Sequence, residues 1–175
     1  MELLKKISCF VMVALLLSCN AVKVNYDHDD KVDFSTYTTY NYYPEMRTGL
    51  SELDTKRLLD AVDAEMKAKG IKLTEEPDFF INIESNAVQK PRNNSVGVGL
   101  GGSGRNVGGG LSVGIPVGGP NMERQIRFDF VDNEKDELFW QAESRSPFKE
   151  NVIPQERDEK LKMLATKVLA KYPPE

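Results

Sequence analysis

The chain has 175 residues, a formal net charge of −4, a single histidine and two cysteines. That length suits one domain with its own core. An acidic balance with no basic stripe excludes the electrostatic footprint of a nucleic-acid binder.

Residues 1–18 read as a lipoprotein signal peptide. Lys5 and Lys6 form a basic start, and Ile7 to Leu17 is an apolar run too short to span a bilayer as a helix. It ends in Leu16-Leu17-Ser18-Cys19, which has the form of a bacterial lipobox. That motif predicts cleavage between Ser18 and Cys19 and lipidation of the Cys19 thiol, with residues 19–23 as a lipidated tether. Each buried methylene holds by ~0.8 kcal/mol, and two or more acyl chains anchor stably, so the membrane is a predicted partner. Asn20, rather than Asp, follows the cysteine and points to the bacterial outer membrane, with the face left open. Cys9 leaves with the signal and Cys19 carries lipid, so no thiol remains for a disulfide, a nucleophile or a metal. Without a second histidine or a free thiol, zinc hydrolysis and histidine-assisted nucleophiles lack their parts.

A single domain is expected over 24–175, with a glycine-rich insert at 91–120. Asp27, His28, Asp29 and Asp30 follow Val24 to Tyr26. Successive side chains on an extended segment diverge, whereas a hard cation needs convergent ligands, so this is a solvated acidic patch and no metal site is predicted. Val32 to Pro44 is rich in Thr and Tyr and reads as a strand that Pro44 ends. Ser51 as N-cap, with Asp54 facing back from N3, opens a helix over about 52–69. Leu58, Leu59, Val62 and Met66 mark its buried stripe, and Gly70 supplies the left-handed C′ residue.

Pro77 to Ser85 alternates Phe79, Ile81 and Ile83 against Phe80, Asn82 and Glu84, a half-buried strand. Gln125 to Ser144 reads as a hairpin turning at Asp132 to Asp136. Ile126, Phe128 and Phe130 point inward on one arm and Leu138, Trp140 and Ala142 on the other. A last helix starts near Pro154, buries Leu161, Leu164, Ala165, Val168 and Tyr172, and stops at Pro173-Pro174. The predicted fold class is α+β: a two-layer sandwich of a mostly antiparallel sheet and two amphipathic helices, with a glycine-rich β-hairpin or loop insert.

Eleven of the 13 glycines lie between residues 95 and 119. Gly97 to Gly102 and Gly99 to Gly104 each spell G-x-G-x-x-G, but glycine at this density produces the pattern by chance. No helix can begin after it to receive a phosphate, because more glycine, Pro116 and Pro120 follow. Neither a nucleotide nor any other cofactor is predicted. The insert has a mirror pattern instead: Val96, Val98 and Leu100 alternate with glycine, and Leu111, Val113, Ile115 and Val117 alternate with small residues or proline. It reads as a flexible surface loop or as a protruding hairpin. The hairpin's apolar face would meet an envelope protein, a second copy of the chain or the membrane.

Carboxylates recur in pairs at Asp60 and Asp63, Asp132 and Asp136, and Glu156 and Glu159, without a sign that any pair shares a cleft. Tyr37, Tyr40, Tyr42, Tyr43 and Trp140 offer a glycan-binding face or, on the favoured reading, strand residues packed under helices. Asp33, Phe34, Ser35, Tyr37 and Thr39, then Pro77 and Asp78, then Asp132, Leu138, Trp140 and Pro173 make the chain similar to a bacterial lipoprotein family, domain of unknown function 4136. Tyr43 before Pro44 departs from that pattern, where tryptophan is more usual. The resemblance implies an envelope lipoprotein with no established reaction. The expected function is a lipid-anchored, non-enzymatic binding or scaffolding module without catalytic residues. The alternative is a cell-wall or glycan hydrolase using a carboxylate pair.

Overall fold

A computed structural model describes residues 22–89, 95–99, 112–116, 122–147 and 151–174. Ser18 and Cys19 lie outside the described residues, as do Leu100, Leu111 and Val117 of the insert. In chain order the elements are β1 (Lys23–His28), a 3-10 turn (Phe34–Thr36), β2 (Thr39–Tyr42), α1 (Glu52–Ala68), β3 (Lys72–Leu73), β4 (Phe79–Gln89), β5 (Ser95–Gly99), β6 (Ser112–Pro116), β7 (Met122–Asp132), β8 (Leu138–Pro147) and α2 (Pro154–Leu169). Six strands make one sheet in the order β1-β8-β7-β4-β2-β3, while β5 and β6 form a separate two-stranded ladder. The pairs from β1 to β4 are antiparallel, and β2 runs parallel to both β4 and β3. Both helices contribute to one apolar cluster with the inward residues of the strands, which gives the expected two-layer α+β sandwich.

The sheet's parity follows the alternation of its sequence. Phe79, Ile81, Ile83, Ile126, Phe128, Phe130, Trp140 and Ala142 are all buried. Intervening positions such as Glu84, Arg127 and Arg145 are exposed, and Arg127 bonds Glu84 at 2.8 Å across the open face. That face is solvated, as an antiparallel sheet with helices on one side allows.

Leu138 is a correction. It was expected inside, but it is 51% exposed, and Phe139 is buried in its place. The register steps from Phe130 opposite Trp140 to Val131 opposite Leu138, so Phe139 is the extra residue of a β-bulge. The bulge turns its ring inward, where it stacks on Tyr37 with centroids 4.1 Å apart and planes 5° from parallel. Phe79, Phe130, Trp140 and Tyr172 extend this aromatic centre. Tyr37, Tyr40 and Trp140 are core residues, as the packing reading held, so these rings form no exposed glycan face.

The predicted strand over Val32 to Pro44 shortens to β2, Thr39–Tyr42. Asp33 caps the 3-10 turn instead, accepting from the Ser35 amide at 3.0 Å and its hydroxyl at 2.7 Å. Such local side-chain bonds give the backbone an alternative to a ladder. The stretch around Val24 was left unassigned and is β1, paired with β8 from Lys23 opposite Arg145 to His28 opposite Trp140.

α1 begins and ends as its sequence indicates. Ser51 accepts from the Asp54 amide at 3.3 Å. The Asp54 carboxylate departs from the expected reciprocal cap, for it bonds Arg57 at 2.8 Å and Arg157 at 2.9 Å. At the other end Ile71 donates to the Met66 carbonyl at 3.0 Å and Gly70 to Lys67 at 3.0 Å, with Gly70 at φ +81°. These are the two bonds of a Schellman motif. Gly49 is needed for a second reason. It has φ +70°, and a Cβ there would stand 2.6 Å from the Ser85 carbonyl oxygen. α2 starts with Pro154 at its first position and buries Leu161, Leu164, Ala165, Val168 and Leu169.

Candidate functional site

Five of the residues that carry the family resemblance, Tyr37, Thr39, Pro77, Asp78 and Asp132, meet at one end of the sheet. Asp78 accepts from the Thr38 and Thr39 amides, each at 2.8 Å, and from the Thr38 hydroxyl at 3.1 Å. Its own amide donates to the Thr39 hydroxyl at 2.9 Å. Asp132 accepts from the Tyr37 hydroxyl at 2.6 Å and from the Glu134 and Lys135 amides at 2.9 and 2.8 Å. Asn133 donates to the Pro77 carbonyl at 2.9 Å. This network ties β2, β4 and the β7–β8 turn together across long sequence separations. Burial alone would raise the Asp78 and Asp132 carboxyls, but these hydrogen bonds outweigh it and hold both below the ordinary carboxylate range. Asp136, at φ +55°, completes the turn by donating its amide to the Asp132 carbonyl at 3.0 Å. Asp132 and Asp136 therefore serve the turn.

Asp60 and Asp63 do line one hollow, of about 520 Å³, between α1 and the segment after β2. Asp63 Oδ1 accepts from both the Tyr40 and Tyr42 hydroxyls at 2.7 Å, which fastens β2 to α1. Burial, then the bond to Asp63 and its charge, push both tyrosine hydroxyls far above their ordinary pKa. Asp60 is exposed and pairs with Lys56 at 3.2 Å.

Glu156 and Glu159 line a second, more enclosed groove of about 250 Å³, between α2 and the ends of β7 and β8 beside Val22. Glu156 is held by Lys160 at 2.7 Å. The Asp54 to Arg157 pair also lines it, and Arg157 Nε donates to the Val152 carbonyl at 3.1 Å. Sequence periodicity could not find this groove, because α2, β7 and β8 meet there only in the folded chain.

His28 pairs with Asp30 at 3.3 Å, and its amide donates to Asp27 at 3.0 Å. Among the described residues no group of three or more His, Cys, Asp or Glu is placed to hold a metal ion. None of the described helices is long and apolar enough to cross a membrane. In the insert, β5 pairs antiparallel with β6, Val96 opposite Ile115, Gly97 opposite Gly114 and Val98 opposite Val113. The apolar positions are register partners of one another, and so are the glycines.

No curated protein matches the chain. Among solved structures it is similar to a PDZ domain protein from Parabacteroides distasonis, with a TM-score of 0.56 and 16% identity over 96% of this chain and 40% of that one. The chain thus spans 40% of that protein's length, and the likeness concerns the fold alone. It is also similar to PelC from Paraburkholderia phytofirmans, solved as a dodecamer, with a TM-score of 0.48 and 9% identity over 86% of this chain and 96% of that one. The family defined as domain of unknown function DUF4136 matches residues 24–174, nearly the whole domain, and the chain belongs to that family.

Proposed function

We propose that this chain is a lipid-anchored protein of the bacterial outer membrane that acts as a non-enzymatic binding or scaffolding module. One observation carries the reading. Lys23, Arg145, Gln125 and Asn86 share a rung of the sheet. Just past that rung, at the same end, β4 reaches Gln89 opposite Met122, where the glycine-rich insert departs and returns. A tether from Cys19 therefore brings the insert, not the opposite turns, to the bilayer. Val22 is the third residue after Cys19, a reach of about 11 Å at most.

The apolar register partners Val96, Val98, Val113 and Ile115 then stand where a neighbouring envelope protein, or a second copy, meets the domain. Of the carboxylates that a hydrolase would use, Asp132 is held in a turn, Asp60 and Glu156 in helix ion pairs, and Asp63 in fastening β2 to α1. The test has two parts. Mass spectrometry of natively purified protein finds a chain beginning at an acylated Cys19; an unmodified thiol, or another start, removes the anchor. Cross-linking in intact cells captures a protein neighbour that is lost when 95–119 is deleted. Retention of the neighbour without the insert removes the assigned surface. Glycan hydrolysis that disappears in Asp63→Asn, with folding intact, would replace the whole reading.

A further inference from the structure

The groove between α2 and the ends of β7 and β8 has no part in the reading above. Its apolar lining comes from Val22, Ile126, Val152, Leu161, Met163 and Leu164. Ile126, Leu161 and Leu164 belong to the buried core and form the floor, while Met163 is 46% exposed at the mouth. Its charged lining is Asp54, Arg124, Glu156, Arg157, Glu159 and Lys160, of which four are held in ion pairs. Asp54 is held between Arg57 and Arg157, and Glu156 faces Lys160. Arg124, Glu159 and Ser146 also line it, but most of the surface left for an occupant is methyl and methylene. The groove therefore suits an uncharged hydrocarbon rather than a polar ligand or a peptide rich in hydrogen-bonding groups.

Val22 is the first residue described, and it lies on the groove wall. We infer that the groove seats one acyl chain of the protein's own N-terminal lipid. This rests on the lipidation of Cys19 proposed above. Cys19 is three residues before Val22, so its lipid is attached within about 11 Å of the groove wall. The groove's volume of about 250 Å³ is about eight times the roughly 30 Å³ that one water takes in the liquid, room for a short run of methylenes. That is part of one acyl chain, with the remainder running back into the bilayer. A methylene leaving the bilayer for an apolar groove stays out of water, so the exchange is close to neutral. The other chains are enough to keep the protein on its membrane. The consequence is orientation: a domain gripping its own lipid stands on the bilayer at a fixed angle, with the insert directed to the membrane, instead of swinging on a flexible tether.

Photo-cross-linking of the full, lipidated protein in phosphatidylcholine vesicles tests this. A benzophenone amino acid replaces Met163 in one variant and Leu53, an exposed residue of α1 that does not line the groove, in another. The expected result is an intramolecular adduct joining residue 163 to the acylated N-terminal peptide, identified by mass spectrometry and absent from the residue 53 variant. Adducts of residue 163 with vesicle phospholipid, with a second copy of the chain or with neither would each overturn the inference. An N-terminal peptide without acyl groups in the same spectra instead overturns the anchoring itself, so the two failures are told apart. Circular dichroism of both variants, compared with the unsubstituted protein, confirms that each is folded.

Discussion

Asp132 is buried at the start of the β7–β8 turn, with the Tyr37 hydroxyl and two turn amides directed at its carboxylate. Removing the acceptor leaves those donors with a lost partner, and Asp132→Ala is expected to destabilise by about 1–3 kcal/mol in urea denaturation. The pH dependence has a definite sign. Asp132 and Asp78 both have folded pKa values below the ordinary value of about 3.9, so their contribution is fully present above that value. It is lost as the pH falls through the folded values. The gap in urea midpoint between the native chain and Asp132→Ala should therefore narrow from about pH 7 to about pH 3. A gap of constant size would show that the charge on Asp132 contributes nothing. At this scale the sequence was legible where a residue acts on its neighbours: Ser51 caps α1, and Gly70 takes the left-handed position after it. It was illegible where the partner is distant. Asp54 was read as a local cap, but its carboxylate is claimed by Arg157, and the Asp63 carboxylate binds two tyrosines from β2.

The β7–β8 hairpin shows the same division one scale up. Period-two alternation placed Ile126, Phe128 and Phe130 inside correctly, and it succeeded on β8 from Trp140 onward. It failed at Leu138 because one inserted residue shifts the parity of everything before it. Nothing in the local pattern announces the insertion; the vacancy beside Tyr37 and Phe79, which the Phe139 ring fills, exists only once β2 and β4 are in place. The consequence is measurable. Phe139→Ala should cost about 3–5 kcal/mol, as deletion of a buried aromatic does. Leu138→Ser should stay within about 0.5 kcal/mol, because it changes an exposed position. Equal losses at the two sites would mean that the bulge is misplaced. Likewise, β2 is shorter than its Thr- and Tyr-rich sequence suggests, since Asp33 and Ser35 draw the preceding residues into a capped turn.

For the molecule as a whole, the insert is an excursion from a continuous ladder. Gln89 and Met122 are register partners, and β4 and β7 pair without interruption from that rung to Phe79 opposite Asp132. Replacing residues 90–121 by a two-residue Asn-Gly turn should leave circular dichroism of the sheet and helices intact and change the unfolding free energy by no more than about 1 kcal/mol. A loss of several kcal/mol would show that the hairpin packs on the core and is not an appended surface. The sequence by itself determined the two helices, the parity of the long strands and the glycine-rich character of the insert, because each is a property of near neighbours along the chain. Only the tertiary structure decided that β1 closes the sheet beside β8, that Asp78 and Asp132 brace one end of it, and that a largely apolar groove opens beside Val22. Those features depend on residues as far apart as Asp54 and Arg157, or Tyr37 and Asp132, which meet only when helices and sheet cover one another's apolar faces.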